Sequence, residues 1–309
     1  MSRIDRVYIA VHRKDLRLAR ICLASVRQWY PELPIYLLKD EVHGPFSTCE
    51  LEERWNVGTW PTGNMPFGWG FVKLEPLFAE ERVRYLMLDA DTVFVGRVIE
   101  ALEKFDADFV VQEEVQPPSD IPGLYFDVRK LPAVLKRNFP MPRFTFNSGQ
   151  YVATGGLLCR QDFSQLVHWT HPRRIRHRDV FNQGDQGVLN YVVLTKLEAG
   201  EITVDRTPFM KWGSQEMGEI DLRLLSAESP YPYVLHWAGL KRLRLRKMIR
   251  ADILEHFERA YYARIPQGWA RLRLRIVHSE AERWRSRFSR LITRATSAAR
   301  ASRTGTQDA

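Results

Sequence analysis

Tyr85 to Leu88 is a short apolar run that ends in two carboxylates, Asp89 and Asp91. A run of that length and type suits a buried strand of a parallel sheet. Acids at its end then stand at the carboxyl edge of the sheet, where open α/β sheets bind ligands. If the chain stays extended, the i, i+2 spacing sends both side chains the same way. Two hard oxygen ligands so placed suit Mg²⁺ or Mn²⁺, and through the ion a diphosphate. Asp is also common in turns, so the same residues read as a plain turn after a strand. The apolar strand before them and Thr92-Val93-Phe94-Val95 after them favour the ligand reading.

The start of the chain says what kind of sheet that strand joins. Arg6 to Val11 reads as a strand, and Asp15 stands where a helix N-cap would be. Leu18, Ile21, Cys22, Ser25, Val26 and Trp29 recur on one helical face, Tyr30-Pro31 ends that helix, and Ile35 to Leu38 is a second strand. A β-α-β opening predicts a parallel sheet. It carries no G-x-G-x-x-G turn, which disfavours an NAD-type dinucleotide fold. The 309 residues suffice for one large or two ordinary domains, and 45% hydrophobic residues can build a core. Cys22, Cys49 and Cys159 show no paired or metal-type spacing; Cys22 and Cys159 read as small core residues. No apolar run is long enough to span a membrane, and Met1 to Arg6 leads into the first strand without a signal segment. The expected setting is a reducing one, the cytoplasm.

Further along, Gly58 to Gly70 mixes Gly, Pro and aromatics and reads as a mobile loop near a ligand or as an ordinary surface loop. Phe71 to Glu81 reads as a helix with Lys73 near its start, a cation that either reaches a phosphate or is solvated. Val98 to Phe105 reads as a helix, Asp108 to Gln112 as a strand, and the Pro-rich stretch Glu113 to Arg143 as an excursion covering an acceptor side. Phe146-Asn147-Ser148-Gly149 leads into a strand, Gln150 to Cys159, interrupted by Gly155-Gly156; Phe163 to Trp169 reads as helical. The basic run Pro172 to Arg178 is either a solvated connection or a face for an anionic acceptor. Asp185 falls in a first helical turn, where an acid is favourable on dipole grounds alone. Ile202 to Val204 and Tyr233 to Leu235 are later strands. The second ends at His236, and in a parallel sheet its end shares one edge with the end of the Asp89 strand, so His236 is a third metal ligand if it meets the Asp pair there.

Four landmarks thus stand in order: Tyr85-Leu86-Met87-Leu88-Asp89-Ala90-Asp91, Phe146-Asn147-Ser148-Gly149, Asp185-Gln186-Gly187-Val188-Leu189-Asn190 and His236-Trp237-Ala238-Gly239. Together they resemble the GT-A glycosyltransferases of the glycogenin and bacterial lipopolysaccharide-galactosyltransferase type, over roughly residues 5 to 242. The resemblance implies a GT-A, Rossmann-like α/β fold: a mixed, mostly parallel sheet flanked by helices. It implies a nucleotide-sugar donor, usually UDP-linked, with Mn²⁺ or Mg²⁺ between the D-x-D and the diphosphate, a glycan or glycolipid acceptor, and commonly retention of anomeric configuration. By the same resemblance Asp89, Asp91 and His236 hold the metal, Lys73 and Asn147 lie near the donor, and Asp185 and Gln186 form the D-Q pair at the reaction centre. The family's third element, H-x-x-G-x-x-K-P-W, is altered. Arg242 stands at the phosphate-binding lysine, Lys241 is one residue early, and no Pro-Trp follows.

The chemistry is coherent without the family. Sugar transfer from a diphosphate leaves negative charge on the leaving oxygen, which a divalent cation stabilises as a Lewis acid. Lys73, Lys241 or Arg242 would add cationic donors, and Asp185 or Gln186 would orient the sugar. A haloacid-dehalogenase-type phosphatase also fits Asp89-Ala90-Asp91-Thr92-Val93, with Asp89 as nucleophile. That family places the motif on its first strand and needs a later acidic pair, whereas here two strands come first. A non-enzymatic basic binding protein is the third reading.

The formal net charge is +9, most of it after residue 240, so the basic excess describes a tail. Residues 1–245 read as the catalytic domain and 246–309 as a basic helical arm with a disordered end. Within the arm Ile253 to Tyr262 reads as a helix. Trp269, Leu272, Ile276, Trp284, Phe288 and Leu291 fall near one helical face among many arginines. Such a helix either lies on an anionic membrane surface, placing the enzyme peripherally on the inner face of the cell membrane, or packs its stripe on the domain. Nucleic acid is the least favoured partner, because no recognition motif accompanies the charge.

Overall fold

The computed structural model describes residues 3–42, 44–61, 70–114, 116–170, 173–181, 184–226, 228–239 and 244–277. It divides into two compact units, Met1–Glu258 and Arg259–Ala309.

The first unit opens with β1 (Arg6–His12), α1 (Leu16–Trp29), β2 (Ile35–Asp40), α2 (Cys49–Trp55) and β3 (Gly58–Thr59). β4 (Arg84–Asp89) and β5 (Thr92–Phe94) flank the D-x-D, followed by α3 (Ile99–Leu102) and β6 (Phe109–Gln112). The Pro-rich excursion carries two short helices, α4 (Ile121–Leu124) and α5 (Leu131–Leu135). Then come β7 (Gln150–Thr154), β8 (Val167–His168), β9 (Arg174–Ile175), α6 (Asp185–Glu198), β10 (Val204–Thr207), β11 (Met210–Trp212), β12 (Val234–His236) and α7 (Ala251–Ala263).

The main sheet has seven strands in the order β10-β6-β7-β4-β1-β2-β3. β1 pairs parallel with β2 and β4, whereas β7 runs antiparallel to both β4 and β6. This is the mixed, mostly parallel α/β sheet expected. Val7, Leu86, Val152 and Val110 on one face and Tyr8, Met87, Tyr151 and Phe109 on the other are buried, so the central strands are apolar on both faces, as a covered sheet requires. α1 buries Leu18, Ile21, Cys22, Ser25, Val26 and Trp29, the face read from the sequence. Asp15 holds the N-cap position, but its carboxylate pairs with His12 Nε2 at 2.7 Å rather than capping the helix.

A second sheet, β11-β12-β5, stands beside the D-x-D. It corrects one expectation. His236 does not reach the Asp pair from the edge of a common parallel sheet: β12 runs antiparallel to β5, with His236 opposite Thr92. The chain also turns at Ala90 and Asp91 instead of continuing extended.

Other differences are local. Phe71–Phe78 is a 3₁₀ segment, not a helix to Glu81: Ala79 is already extended, and the Lys73 carbonyl, which Pro76 has no N–H to serve, accepts from the Tyr151 hydroxyl at 2.9 Å. The strand expected over Gln150 to Cys159 stops at Thr154. At Gly155 a side chain would press on the Glu81 carbonyl, and Gly156 takes φ +71°. Phe163 to Trp169 is not helical; it contains β8, which pairs with β9. Cys159 is exposed rather than a core residue, while Cys22 is buried. Most of the Gly58 to Gly70 loop, 62–69, lies outside the described residues.

In the second unit, residues 268–277 are helical and expose Trp269, Leu274 and Val277. Trp284, Phe288 and Leu291 lie outside the described residues. Among the described residues no helix is long and apolar enough to cross a membrane.

Candidate active site

The D-x-D is positioned from two sides. β4 delivers Asp89, whose N–H donates to the Gly149 carbonyl at 2.6 Å. Because β7 runs antiparallel to β4, the Asn147-Ser148-Gly149 segment that precedes β7 meets the end of β4. On the other side the Trp237 N–H donates to the Asp91 carbonyl at 3.1 Å, which brings His236 alongside. His236 Nε2 lies 3.4 Å from Asp91 Oδ1. Asp89, Asp91 and His236 each offer one ligand atom, and the three atoms lie within 4.8 Å of one another. Asp91 and His236 are 3% and 1% exposed, so these two ligands sit inside the protein, while Asp89 is only partly buried. The Trp212 indole stacks on the imidazole at 5.3 Å and 22° and holds the ring orientation.

Lys73 enters from the 3₁₀ segment and is nearly fully buried. Its ammonium reaches Asp185 Oδ2 at 2.8 Å, Asp89 Oδ1 at 3.1 Å and Ser148 Oγ at 3.2 Å. Burial alone would lower its proton affinity, but Asp185 and Asp89 outweigh that and hold it well above the ordinary lysine range. Asp185 is shifted upward as well, first by burial and then by the charge of Asp89, against the pull of Lys73. The ammonium therefore stays charged while Asp185 holds its proton more readily than an ordinary carboxyl. Gly70, at φ +75°, admits this approach, since a Cβ there would stand 2.3 Å from Asp185 Oδ1.

The start of α6 supplies the D-Q pair. Gln186 Oε1 accepts from Asn147 Nδ2 at 2.9 Å, and Gln186 Nε2 donates to the Leu124 carbonyl at 2.8 Å. One turn on, Asn190 fixes the helix to the chain before β7. It accepts from the Phe146 N–H at 2.9 Å and donates to the Phe146 carbonyl at 2.8 Å. Fully buried, it has no solvent alternative.

Lys73, Asp89, Asp91, Asn147, Asp185, Gln186 and His236, scattered over the sequence, thus line one cavity of about 460 Å³. Lys241 and Arg242 lie outside the described residues. Sequence reasoning missed four neighbours. Ser148 was visible inside the quoted Asn-Ser-Gly segment. Tyr125 and Trp212 line the cavity but carry no sequence signal. Glu114 sits behind it, accepting from the Tyr125 hydroxyl at 3.3 Å and from Gln116 at 3.1 Å, and burial pushes its carboxyl up.

No protein-family model and no curated protein sequence matches the chain. Solved structures do match. The bifunctional glycosyltransferase WbbM in its apo form superposes with TM-score 0.53 at 14% identity, over 84% of this chain and 50% of that one. The apo glycosyltransferase GlyE of Streptococcus pneumoniae TIGR4 gives 0.50 at 17% identity, over 83% and 60%. The galactosyltransferase LgtC, in complex with donor and acceptor sugar analogs, gives 0.50 at 16% identity, over 86% and 99%. The chain spans only half and three-fifths of the first two, and nearly all of LgtC. At these identities the likeness is one of fold, and it agrees with the resemblance carried by the four motifs: the chain has the GT-A fold of the glycosyltransferases.

Proposed function

We propose that this chain moves a sugar from a nucleotide-diphosphate donor, a UDP-sugar, to a glycan or glycolipid acceptor, with a divalent cation held by Asp89, Asp91 and His236. The observation that carries this is the convergence of two carboxylates and an imidazole from β4, the following turn and β12. The residues fit such an ion. His236 Nδ1 is buried without a hydrogen-bond partner among the described residues. At Gly149 a Cβ would stand 2.7 Å from Asp89 Oδ2 and 2.6 Å from His236 Cε1, so the backbone there leaves the ligands room. Oxygen donors with one imidazole suit Mn²⁺ or Mg²⁺, and the nitrogen favours Mn²⁺. When bound, the ion supplies Lewis-acid stabilisation to the diphosphate leaving group.

The chain's own residues do the rest. All three ammonium protons of Lys73 have acceptors in Asp185, Asp89 and Ser148, so Lys73 positions the two carboxylates rather than reaching for phosphate. The Asn147 and Gln186 amides, locked to each other, present a fixed polar wall to the donor sugar, with Asp185 beside them. Cationic help to the diphosphate falls to Lys241 and Arg242. Residues beyond the catalytic part form a basic arm that docks on an anionic membrane surface; exposed Trp269, Leu274 and Val277 among arginines support that reading. A phosphatase using Asp89 as nucleophile is poorly served, since the D-x-D follows β4, with β1 and β2 ahead of it, and not the first strand.

The test is a donor screen that reads UDP release, first in EDTA and then with added Mn²⁺, for wild type, Asp91→Asn and His236→Ala. Replacing Asp91 by Asn keeps its size and removes its charge, so the rate should fall by about 100-fold or more. Full activity in EDTA, or near-wild-type turnover in Asp91→Asn, would refute the metal reading.

A further inference from the structure

A second and larger cavity, about 940 Å³, lies outside the site just described. Its walls are the end of α5, the Ser164-Gln165 turn, the β8-β9 hairpin and the chain after it. Lys136, His168, Arg174, Arg176, His177 and Arg178 line it, and among the described residues no carboxylate does. Of the acids near these residues along the chain, Asp179 directly follows Arg178, while Asp162 pairs with Lys196 at 3.0 Å and Asp127 with Arg129 at 3.1 Å.

The hairpin register concentrates this charge. His168 stands directly opposite Arg174, so the two share a face, while the Val167–Ile175 pair is buried on the other. Arg176 keeps its place by donating from Nε to the Ser164 carbonyl at 3.0 Å. Arg174 and Lys136 make no ion pair among the described residues. The imidazole of His168 reports the local field: some desolvation and the charges of Arg176 and Arg174 hold it below its ordinary range. Like charges gathered in a concave wall raise the local concentration of anions, and arginines favour phosphate by their forked geometry.

The same two stretches of chain serve both cavities. Leu124 and Tyr125 line the candidate active site, and Val134 to Lys136 line the basic cleft. Arg174 to Arg178 line the cleft, and Asp185 and Gln186 line the site. Between them the stretches are joined, by the Asp127 N–H to the Val180 carbonyl and by Lys130 Nζ to the Asp179 carbonyl, each at 3.0 Å. A lone phosphate would fill little of this space, whose size is that of a small-molecule pocket. Val134 and Leu135 add apolar wall of the kind that packs against the C–H face of a sugar ring.

We infer that the basic cleft binds the phosphate-bearing end of a phosphorylated saccharide, and that this saccharide is the acceptor. The binding claim stands on the cleft alone; the acceptor role rests on the transferase reading above.

The experiment separates the two. Full-length protein, with EDTA and no donor, is titrated calorimetrically with glucose 6-phosphate, glucose and inorganic phosphate. Glucose 6-phosphate should bind more tightly than phosphate, and glucose should not bind. The exposed pair Lys136→Gln/Arg174→Gln should weaken glucose 6-phosphate binding about 10-fold, while Lys136→Arg/Arg174→Lys retains it. Unchanged affinity in the Gln pair, equal binding of glucose, or phosphate binding as tightly as the sugar phosphate overturns the cleft assignment. In turnover, the Gln pair should raise KM for a phosphorylated acceptor and leave donor KM alone. An unchanged acceptor KM overturns the acceptor role. If no nucleotide sugar is turned over at all, the transferase reading fails while the binding result stands.

Discussion

Lys73→Met removes the buried cation that pairs with both Asp185 and Asp89 and keeps the length of the side chain. Deleting one partner of a buried ion pair costs about 3–5 kcal/mol, because the remaining charge stays buried. The Asp185 side chain is 11% exposed and loses its contact at 2.8 Å, whereas that of Asp89 is 26% exposed and keeps water. Counting essentially the Asp185 side gives the lower end, about 3 kcal/mol. In a domain of this size that lowers Tm by about 6 °C near neutral pH. The sign with pH follows from the direction of each shift. Lys73 is held above its ordinary value of 10.5, so its contribution is fully present below that pH and is lost only as pH rises through the raised value. Without the ammonium, the charge that opposes the upward shift of Asp185 is gone, and its carboxyl holds its proton more tightly still. Acidification therefore helps the variant more than the wild type, and the Tm gap should narrow between about pH 7.5 and about pH 5. Thermal melts by circular dichroism across that range measure it. A drop of less than about 1 °C near neutrality, or a gap that widens in acid, would show that the Lys73–Asp185–Asp89 contact does not carry the energy assigned to it.

Gly149→Ala places a methyl against Asp89 Oδ2 and His236 Cε1 and should weaken Mn²⁺ binding by about 10-fold or more, read by electron paramagnetic resonance. Binding equal to wild type would mean the backbone there does not shape the metal site. Asn190→Ala leaves the buried Phe146 N–H and carbonyl without their partner, a loss of about 2–3 kcal/mol by urea denaturation, with slower UDP release as Asn147 shifts. Stability within about 0.5 kcal/mol of wild type would contradict the staple. The arm is tested by sedimentation with anionic liposomes: full-length protein should pellet and a form ending at Arg264 should not, and equal pelleting would end the membrane reading.

How much of this was legible in the residues differs from feature to feature. The β-α-β opening, the buried face of α1 and the apolar strand ending in Asp89 were readable because each is local. Their periodicity is set by backbone geometry, and burial only confirms which face turns inward. The four motifs were readable because they are short and ordered along the chain. What the sequence could not convey was how the motifs meet. Gly149 reaches Asp89 because β7 enters antiparallel, a reversal that no residue in Gln150 to Thr154 announces. His236 meets Asp91 through a separate small sheet, where the sequence suggested a shared parallel edge. Trp212 on His236 and Glu114 behind Tyr125 are partners made by folding alone, far apart in sequence. The basic run before Arg178 was visible as charge, but only the pairing of β8 with β9 gathers it into a cleft with Lys136. Propensity and pattern act over a few residues and so determine elements, whereas strand direction and cavity walls are decided by long-range packing, which single residues do not encode.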